Sequence, residues 1–140
     1  MLRFEADAPT VASIRPVIGL DVVQQMIQQI AKVHVADEIR DYIVAVVGAT
    51  RALPEVRIGA SPRASLALLR AARTAAAIDG RGFITADDVK SLASAVIAHR
   101  LILTPQAELA GVTDFDLVDR VISGLPTPTS LAAGPGTRRW

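Results

Sequence analysis

The chain has 140 residues and a formal net charge of +1; 51% of its residues are hydrophobic but only 4% are aromatic. This length and Ala-rich composition favour one domain of close-packed helices, and the balanced charge argues against nucleic acid held by bulk electrostatics. The absence of cysteine excludes disulfides and thiolate chemistry. No apolar run reaches the roughly 20 residues of a membrane span, and the N-terminus lacks the apolar region of a secretory signal. We expect a cytoplasmic protein.

Two helices are predicted in the first third of the chain. Residues 1–18 contain two prolines and no sustained period, which is typical of an extended lead-in. Asp21 is expected to cap a first helix, whose apolar face has the i, i+3, i+4, i+7 spacing and consists of Val23, Met26, Ile27 and Ile30. A second helix begins at Asp37 and ends between Gly48 and Arg51, with Ile39, Tyr42, Ile43, Val46 and Val47 on one face.

The third predicted helix is the central one. Residues 52–60 form a loop before it, Ser61 suits the N-cap through its hydroxyl, and Pro62 suits the first helical position. Its body is apolar around most of its circumference, which indicates packing on several sides. A narrow polar stripe remains, formed by Arg63, Arg70 and Thr74 with Arg73 at its edge. Gly80 ends the helix as a left-handed residue.

The rest of the chain predicts two further helices and a short extended pairing. Thr85 with Asp88, and Thr113 with Asp116, have capping-box spacing at the helix starts. Phe83-Ile84 could pair with residues 101–103, whereas Pro105 to Gly111 is expected to be a loop. From residue 127 the chain lacks periodicity, and we expect a disordered tail. The fold class is therefore all-α: a bundle of about five helices over residues 19–126, with a possible minor two-stranded pairing.

The sequence offers few residues for autonomous catalysis. It has no GxxxxGK[ST] phosphate loop, and the glycines at 80 and 82 follow no strand, as a dinucleotide fingerprint would require. His34 and His99 lack metal-ligand spacing, and Ser61 and Ser65 have no visible base partner. We therefore expect no metal site and no catalytic residue in this chain alone.

Arg63 is the candidate binding residue. It lies in the first turn of the central helix, beside amides without intrahelical partners and at the positive end of the helix dipole. An anion bound there would gain a guanidinium donor. Spacing alone leaves a second interpretation open, in which Arg63 is solvated or bonded to a neighbouring carboxylate.

Residues 59–73 (GASPRASLALLRAAR) and 83–90 (FITADDVK) resemble the MoxR family of AAA+ ATPases. The similarity extends over roughly residues 9–126, and it includes Val33-His34-Val35, Ala49-Thr50-Arg51-Ala52, His99-Arg100-Leu101, Pro105, Ala107-Glu108, Gly111-Val112-Thr113 and the segment from Val118 to Pro126.

This resemblance implies a C-terminal lid domain, the helical cap over the nucleotide of an AAA+ module, with residues 1–18 leading in from a core domain. In the family, the Ser-Pro-Arg helix start carries the sensor-2 arginine, which contacts the γ-phosphate. That residue is Arg63 here, with Ser61 and Pro62 shaping the helix start. Arg70 and Arg51 could line the same groove, although we favour surface solvation for each.

The family's core domain, with its Walker motifs, sensor 1 and arginine finger, is absent from these 140 residues. The resemblance therefore implies ATP, Mg²⁺ and ATP hydrolysis for the full-length protein, and no cofactor or activity for this chain alone. It also implies a homo-hexamer with a chaperone-like role, working with von Willebrand factor A domain proteins.

A second hypothesis belongs to another functional class. The central helix, the extended Phe83-Ile84-Thr85 link and the following helix resemble the helix–strand–helix core of histone folds, which dimerise and often bind DNA. The near-neutral charge argues against DNA binding but leaves dimerisation open.

Overall fold

A computed structural model describes residues 14–128 of the chain, and these residues form a helical bundle with one small sheet. The predicted lead-in and tail therefore fall largely on residues 1–13 and 129–140, outside the described residues. The helices are α1 (Leu20–Ala31), α2 (Asp37–Ala49), α3 (Pro62–Ile78), α4 (Ala86–Ile97), α5 (Pro105–Leu109) and α6 (Asp114–Gly124). The strands are β1 (Val56–Ile58) and β2 (Ile102–Leu103), and a 3₁₀ turn spans Ala98–Arg100.

The core is built around α3, as predicted. Four α3 residues spaced four apart are fully buried on one face, namely Ala64, Leu68, Ala72 and Ala76. Three of them are alanines, so neighbouring helices can approach closely, and α2 and α4 both pack against α3. The remaining core residues come mainly from the predicted face of α2 and from one face each of α4 and α6: Ile39, Tyr42, Ile43, Val46, Val47, Val89, Ala93, Ile97, Leu117, Val118 and Val121. The all-α fold class is confirmed.

The first helix differs from its prediction. Gly19 occupies the N-cap position and Asp21 lies inside the first turn, so Asp21 is not the cap. No α1 residue is buried, and Met26 and Ile27 of its apolar face are exposed. The apolar spacing correctly indicated a helix, but burial depends on what packs against that face, and α1 makes its main described contact with α3 alone.

The short extended segments pair differently from the prediction. β1 and β2 form an antiparallel pair in which Val56 lies opposite Leu103, so residues 52–60 are not simply a loop. Phe83 bridges His34 instead, where the His34 amide donates to the Gly82 carbonyl at 2.8 Å. The predicted pairing of residues 83–84 with 101–103 is therefore wrong. Short apolar segments carry little information on their partners, and helix packing decides which of them meet.

Helix ends follow the local sequence closely. Capping boxes are present at Thr85–Asp88 and Thr113–Asp116, as predicted. Gly80 has a φ of 70° after α3, and the amide of Arg81 donates to the Ala76 carbonyl at 2.8 Å, which completes a Schellman motif. These contacts fix the chain direction between α3 and α4.

The segment predicted as a loop between residues 105 and 111 contains α5, a five-residue helix. Thr104 caps it by accepting from the Ala107 amide at 3.3 Å, and Pro105 takes the first position. The start signals were therefore present in the sequence. The helix is too short to show an apolar period, and this is why the pattern indicated a loop.

Candidate functional site

The start of α3

The start of α3 presents Arg63 on the surface. Pro62 occupies the first helical position as predicted, and Ser61 occupies the N-cap position with extended backbone angles. The Ser61 hydroxyl, however, makes no cap hydrogen bond, so that part of the prediction is wrong. Pro62 has no amide hydrogen and the Ala64 amide donates to the Ser61 carbonyl at 2.8 Å, so the Arg63 amide is the first-turn donor left without a partner among the described residues. The Arg63 side chain is exposed beside it.

Thr50 and Arg51, at the end of α2, hold the segment that leads into α3. The buried Thr50 hydroxyl donates to the Val47 carbonyl at 2.7 Å and accepts from the Ala60 amide at 3.1 Å. Arg51 Nε donates to the Ala60 carbonyl at 2.8 Å. Both backbone groups of Ala60 are thus bonded to the end of α2, which fixes where the Ser61-Pro62-Arg63 turn begins.

Gly59 is required for this close approach. A Cβ built on Gly59 would lie 2.9 Å from both the Cα and the amide nitrogen of Arg51, closer than real Cβ contacts allow. Spacing in the sequence gave no sign of this contact, since it joins the loop to the end of a different helix. A glycine two residues before the N-cap was the available signal.

The three predicted site arginines occupy different settings. The Arg63 guanidinium has no hydrogen bond or ion pair within residues 14–128, which favours the solvated form of the second interpretation over a carboxylate-bonded one. Arg70 is exposed about 10 Å further along α3. Arg51 is partly committed to Ala60, so it supports the helix start directly.

Leu66 is exposed on the same face as Arg63 and Arg70, although a central helix predicted its burial. It lies three residues after Arg63 and four before Arg70, so the three side chains are neighbours on the helix surface. The face therefore combines two guanidiniums with an exposed apolar side chain. Its composition suits a surface that another protein surface covers.

The donors at this site fit a phosphate group but do not fit a magnesium ion. The guanidinium and the backbone amide of Arg63 are donors for an anion. Mg²⁺ requires oxygen ligands, usually carboxylates, and no cluster of three or more metal-binding side chains occurs in the described part of the chain. The same residues contain no helix long and apolar enough to cross a membrane.

A second polar cluster lies at the start of α4, where Arg81 binds the predicted Thr85–Asp88 capping box, a contact that sequence spacing did not reveal. The buried Asp88 carboxylate accepts from Arg81 at 2.6 and 2.8 Å and from the Thr85 amide and hydroxyl at 2.7 and 2.9 Å. Burial raises the pKa of Asp88. The hydrogen bonds from Arg81 and Thr85 lower that pKa by more than burial raises it, so the pKa of Asp88 lies below its ordinary value. With four hydrogen bonds to this carboxylate, the cluster is structural and links the end of α3 to α4.

Comparison with known proteins

The family model of the AAA lid domain matches residues 48–121, a range that includes the whole of α3 and α4. The uncharacterized protein YeaC of Bacillus subtilis is 30% identical over 133 residues, which cover 95% of this chain and 42% of YeaC. Chaperone MoxR1 of Mycobacterium tuberculosis is 38% identical over 98 residues, covering 63% of this chain and 26% of MoxR1.

A crystal structure of a candidate ATPase from Cytophaga hutchinsonii superimposes on 76% of this chain with a TM-score of 0.73 and 25% identity, and 35% of that protein is covered. The chain thus spans less than half the length of each of these relatives. These matches favour the lid hypothesis over the histone-like one. The chain belongs to the AAA lid domain family and is a lid of the MoxR type.

Proposed function

We propose that this lid caps the ATP site of a MoxR-type AAA+ ATPase and that Arg63 is its sensor-2 arginine, contacting the γ-phosphate. The observation that carries the proposal is the exposed guanidinium of Arg63, which has no hydrogen bond or ion pair among residues 14–128, on a helix start held by Thr50 and Arg51. A donor held in place before the reaction stabilises developing phosphoryl charge without reorganising.

The exposed face of α3 supports the same proposal. Arg63 lines neither of two surface cavities found in the described residues, which lie beside β2 and at the opposite end of α3. The helix start is therefore open, and a second domain must enclose the nucleotide. Leu66, between Arg63 and Arg70, offers that domain an apolar contact.

The remaining chemistry belongs to the full-length protein. It would bind ATP with Mg²⁺, whose carboxylate ligands and phosphate loop come from the core domain, and hydrolyse ATP as a chaperone-like homo-hexamer in the cytoplasm. Von Willebrand factor A domain proteins are the proposed partners. Bound ATP would supply the transferred phosphoryl group, Arg63 would bind its oxygens, and Arg70 or Arg51 would add positive charge near the groove.

The test is the ATPase rate of the full-length protein that contains this lid. Arg63→Ala is expected to lower turnover by about 100-fold, the typical loss of one donor to a transition-state oxyanion. Arg40→Ala is the matched control, because Arg40 is exposed, pairs with Asp37 and lies about 15 Å along α2 from Thr50. Equal turnover in the Arg63 variant and the parent would refute the sensor role.

The isolated 140-residue chain should release no phosphate from ATP above background. Its described residues provide a phosphate-binding donor but no metal-binding cluster. ATPase activity that copurifies with the chain through successive columns, and that Arg63→Ala removes, would refute the proposal that hydrolysis requires the core domain.

A further inference from the structure

A cavity of about 390 Å³ lies between β2 and the start of α6. Its apolar lining comes from residues 101–103 and Val112, while Glu108, Thr113 and Asp114 add polar groups. None of its seven lining residues is basic. The lining thus combines apolar side chains with two carboxylates, and we call the site the acidic cavity.

The carboxylates of Glu108 and Asp114 can both accept further hydrogen bonds. Glu108 is exposed, and its carboxylate makes no hydrogen bond or ion pair with the described residues. Asp114 accepts only from the Phe115 amide, at 3.0 Å, in the same part of the chain. The side chains that follow them in sequence are apolar and exposed, Leu109 by 90% and Phe115 by 55%. An occupant with cationic and aromatic groups would satisfy both kinds of surface.

We propose that the acidic cavity binds the C-terminal segment of this same chain, residues 129–140. That segment ends in Arg138-Arg139-Trp140 and contains no acidic residue. Its two guanidiniums complement Glu108 and Asp114, and its indole complements the apolar lining side chains and the exposed Leu109 and Phe115 beside them. This inference is independent of Arg63 and of the proposed ATPase function.

The chain length permits this docking. α6 begins with Asp114 at the cavity and ends at Gly124, so the segment must return about 15 Å to reach the cavity. The stretch of about ten residues from Pro128 to Arg138 can span about 33 Å when extended. Because the segment is tethered, its effective concentration at the cavity is about millimolar, so even weak intrinsic binding would be populated.

Trp140 is the chain's only tryptophan and therefore reports directly on the segment. Acrylamide quenching of its fluorescence is expected to be at least about threefold weaker in the 140-residue chain than in a synthetic peptide of residues 129–140, since a docked indole is shielded. Equal quenching in the chain and the peptide would overturn the proposal.

Charge variants identify the cavity as the binding site. Glu108→Lys should raise the quenching of Trp140 to the level of the peptide, and so should the double variant Arg138→Glu with Arg139→Glu. Combining all three substitutions should protect Trp140 again, because the charges are then exchanged. The matched control is Glu38→Lys, an exposed first-turn glutamate of α2, which should leave quenching unchanged. Circular dichroism checks the fold of each variant.

Two further outcomes would contradict the assignment. Protection that disappears on dilution would place the segment in a second copy of the chain. Protection that survives both Glu108→Lys and the double arginine variant would place Trp140 at another site.

Discussion

Replacing Asp88 by alanine should destabilise the domain more than any other single change of an acidic residue discussed here. Asp88 is 8% exposed and binds both Arg81 and Thr85, so Asp88→Ala removes an ion pair and the carboxylate half of a capping box together. Hydrogen bonds to charged groups contribute about 1.5–3 kcal/mol and a cap about 1 kcal/mol. The Arg81 side chain remains 27% exposed, so water partly replaces its lost partner. The expected loss is therefore about 2–4 kcal/mol.

The assay is urea unfolding at pH 7, followed by circular dichroism. The chain provides a matched control in Asp116, which forms the same capping box with Thr113 but has no arginine partner. Asp116→Ala should lower the free energy of unfolding by clearly less than Asp88→Ala. Equal losses in the two variants would refute the argument, because Arg81 would then contribute nothing beyond the cap.

The same contacts predict a pH dependence. Because the pKa of Asp88 in the folded chain is below its ordinary value of 3.8, the unfolded chain takes up a proton first as the pH falls. The stabilisation is therefore present above about pH 4 and is lost as the pH falls through the lowered pKa of the folded state. Asp88→Ala should flatten the acid side of the stability profile, and an unchanged slope would contradict the assignment.

Three further predictions concern the α3 start and the rejected alternative. Thr50→Val should cost about 1–3 kcal/mol, because the buried Ala60 amide loses its acceptor; Thr50→Ser should retain most of the stability, and equal urea midpoints for the two variants would argue against the bond. Gly59→Ala should lower stability by about 1–3 kcal/mol through its clash with Arg51, whereas Gly48→Ala, with no atom within 4 Å of its added Cβ, should be neutral or stabilising. The chain should not retard duplex DNA in an electrophoretic shift assay, and tight, salt-sensitive retardation would revive the histone-like hypothesis.

Features encoded by neighbouring residues were the ones that sequence analysis predicted well. The α2 core face, the two capping boxes and the Gly80 helix end each depend on residues within about one or two turns of each other. Arg63 was selected for the same reason, because Ser-Pro-Arg is a local helix-start pattern and a family motif, and its role at the nucleotide stays a prediction.

Features that join different helices or strands were missed. The pairing of β1 with β2 connects residues nearly fifty positions apart. The Thr50–Ala60 bond and the Arg81–Asp88 pair join residues only ten and seven positions apart, but each connects the end of one helix to the approach to the next helix or to its start. Threonine, arginine and aspartate are also ordinary surface residues, so spacing gave no reason to select Thr50, or to pair Arg81 with Asp88. The exposure of α1 and Leu66 was missed because apolar periodicity indicates a face without indicating what covers it.

The most direct test of the central claim is the affinity of the full-length ATPase for ADP with aluminium fluoride, which mimics the transferred phosphoryl group. If Arg63 stabilises that group during transfer, Arg63→Ala should weaken binding of this complex by about the same factor as it lowers turnover, while binding of ADP alone stays unchanged. Arg40→Ala should alter neither affinity. Equal affinities of the parent and the Arg63 variant for the aluminium fluoride complex would contradict the account.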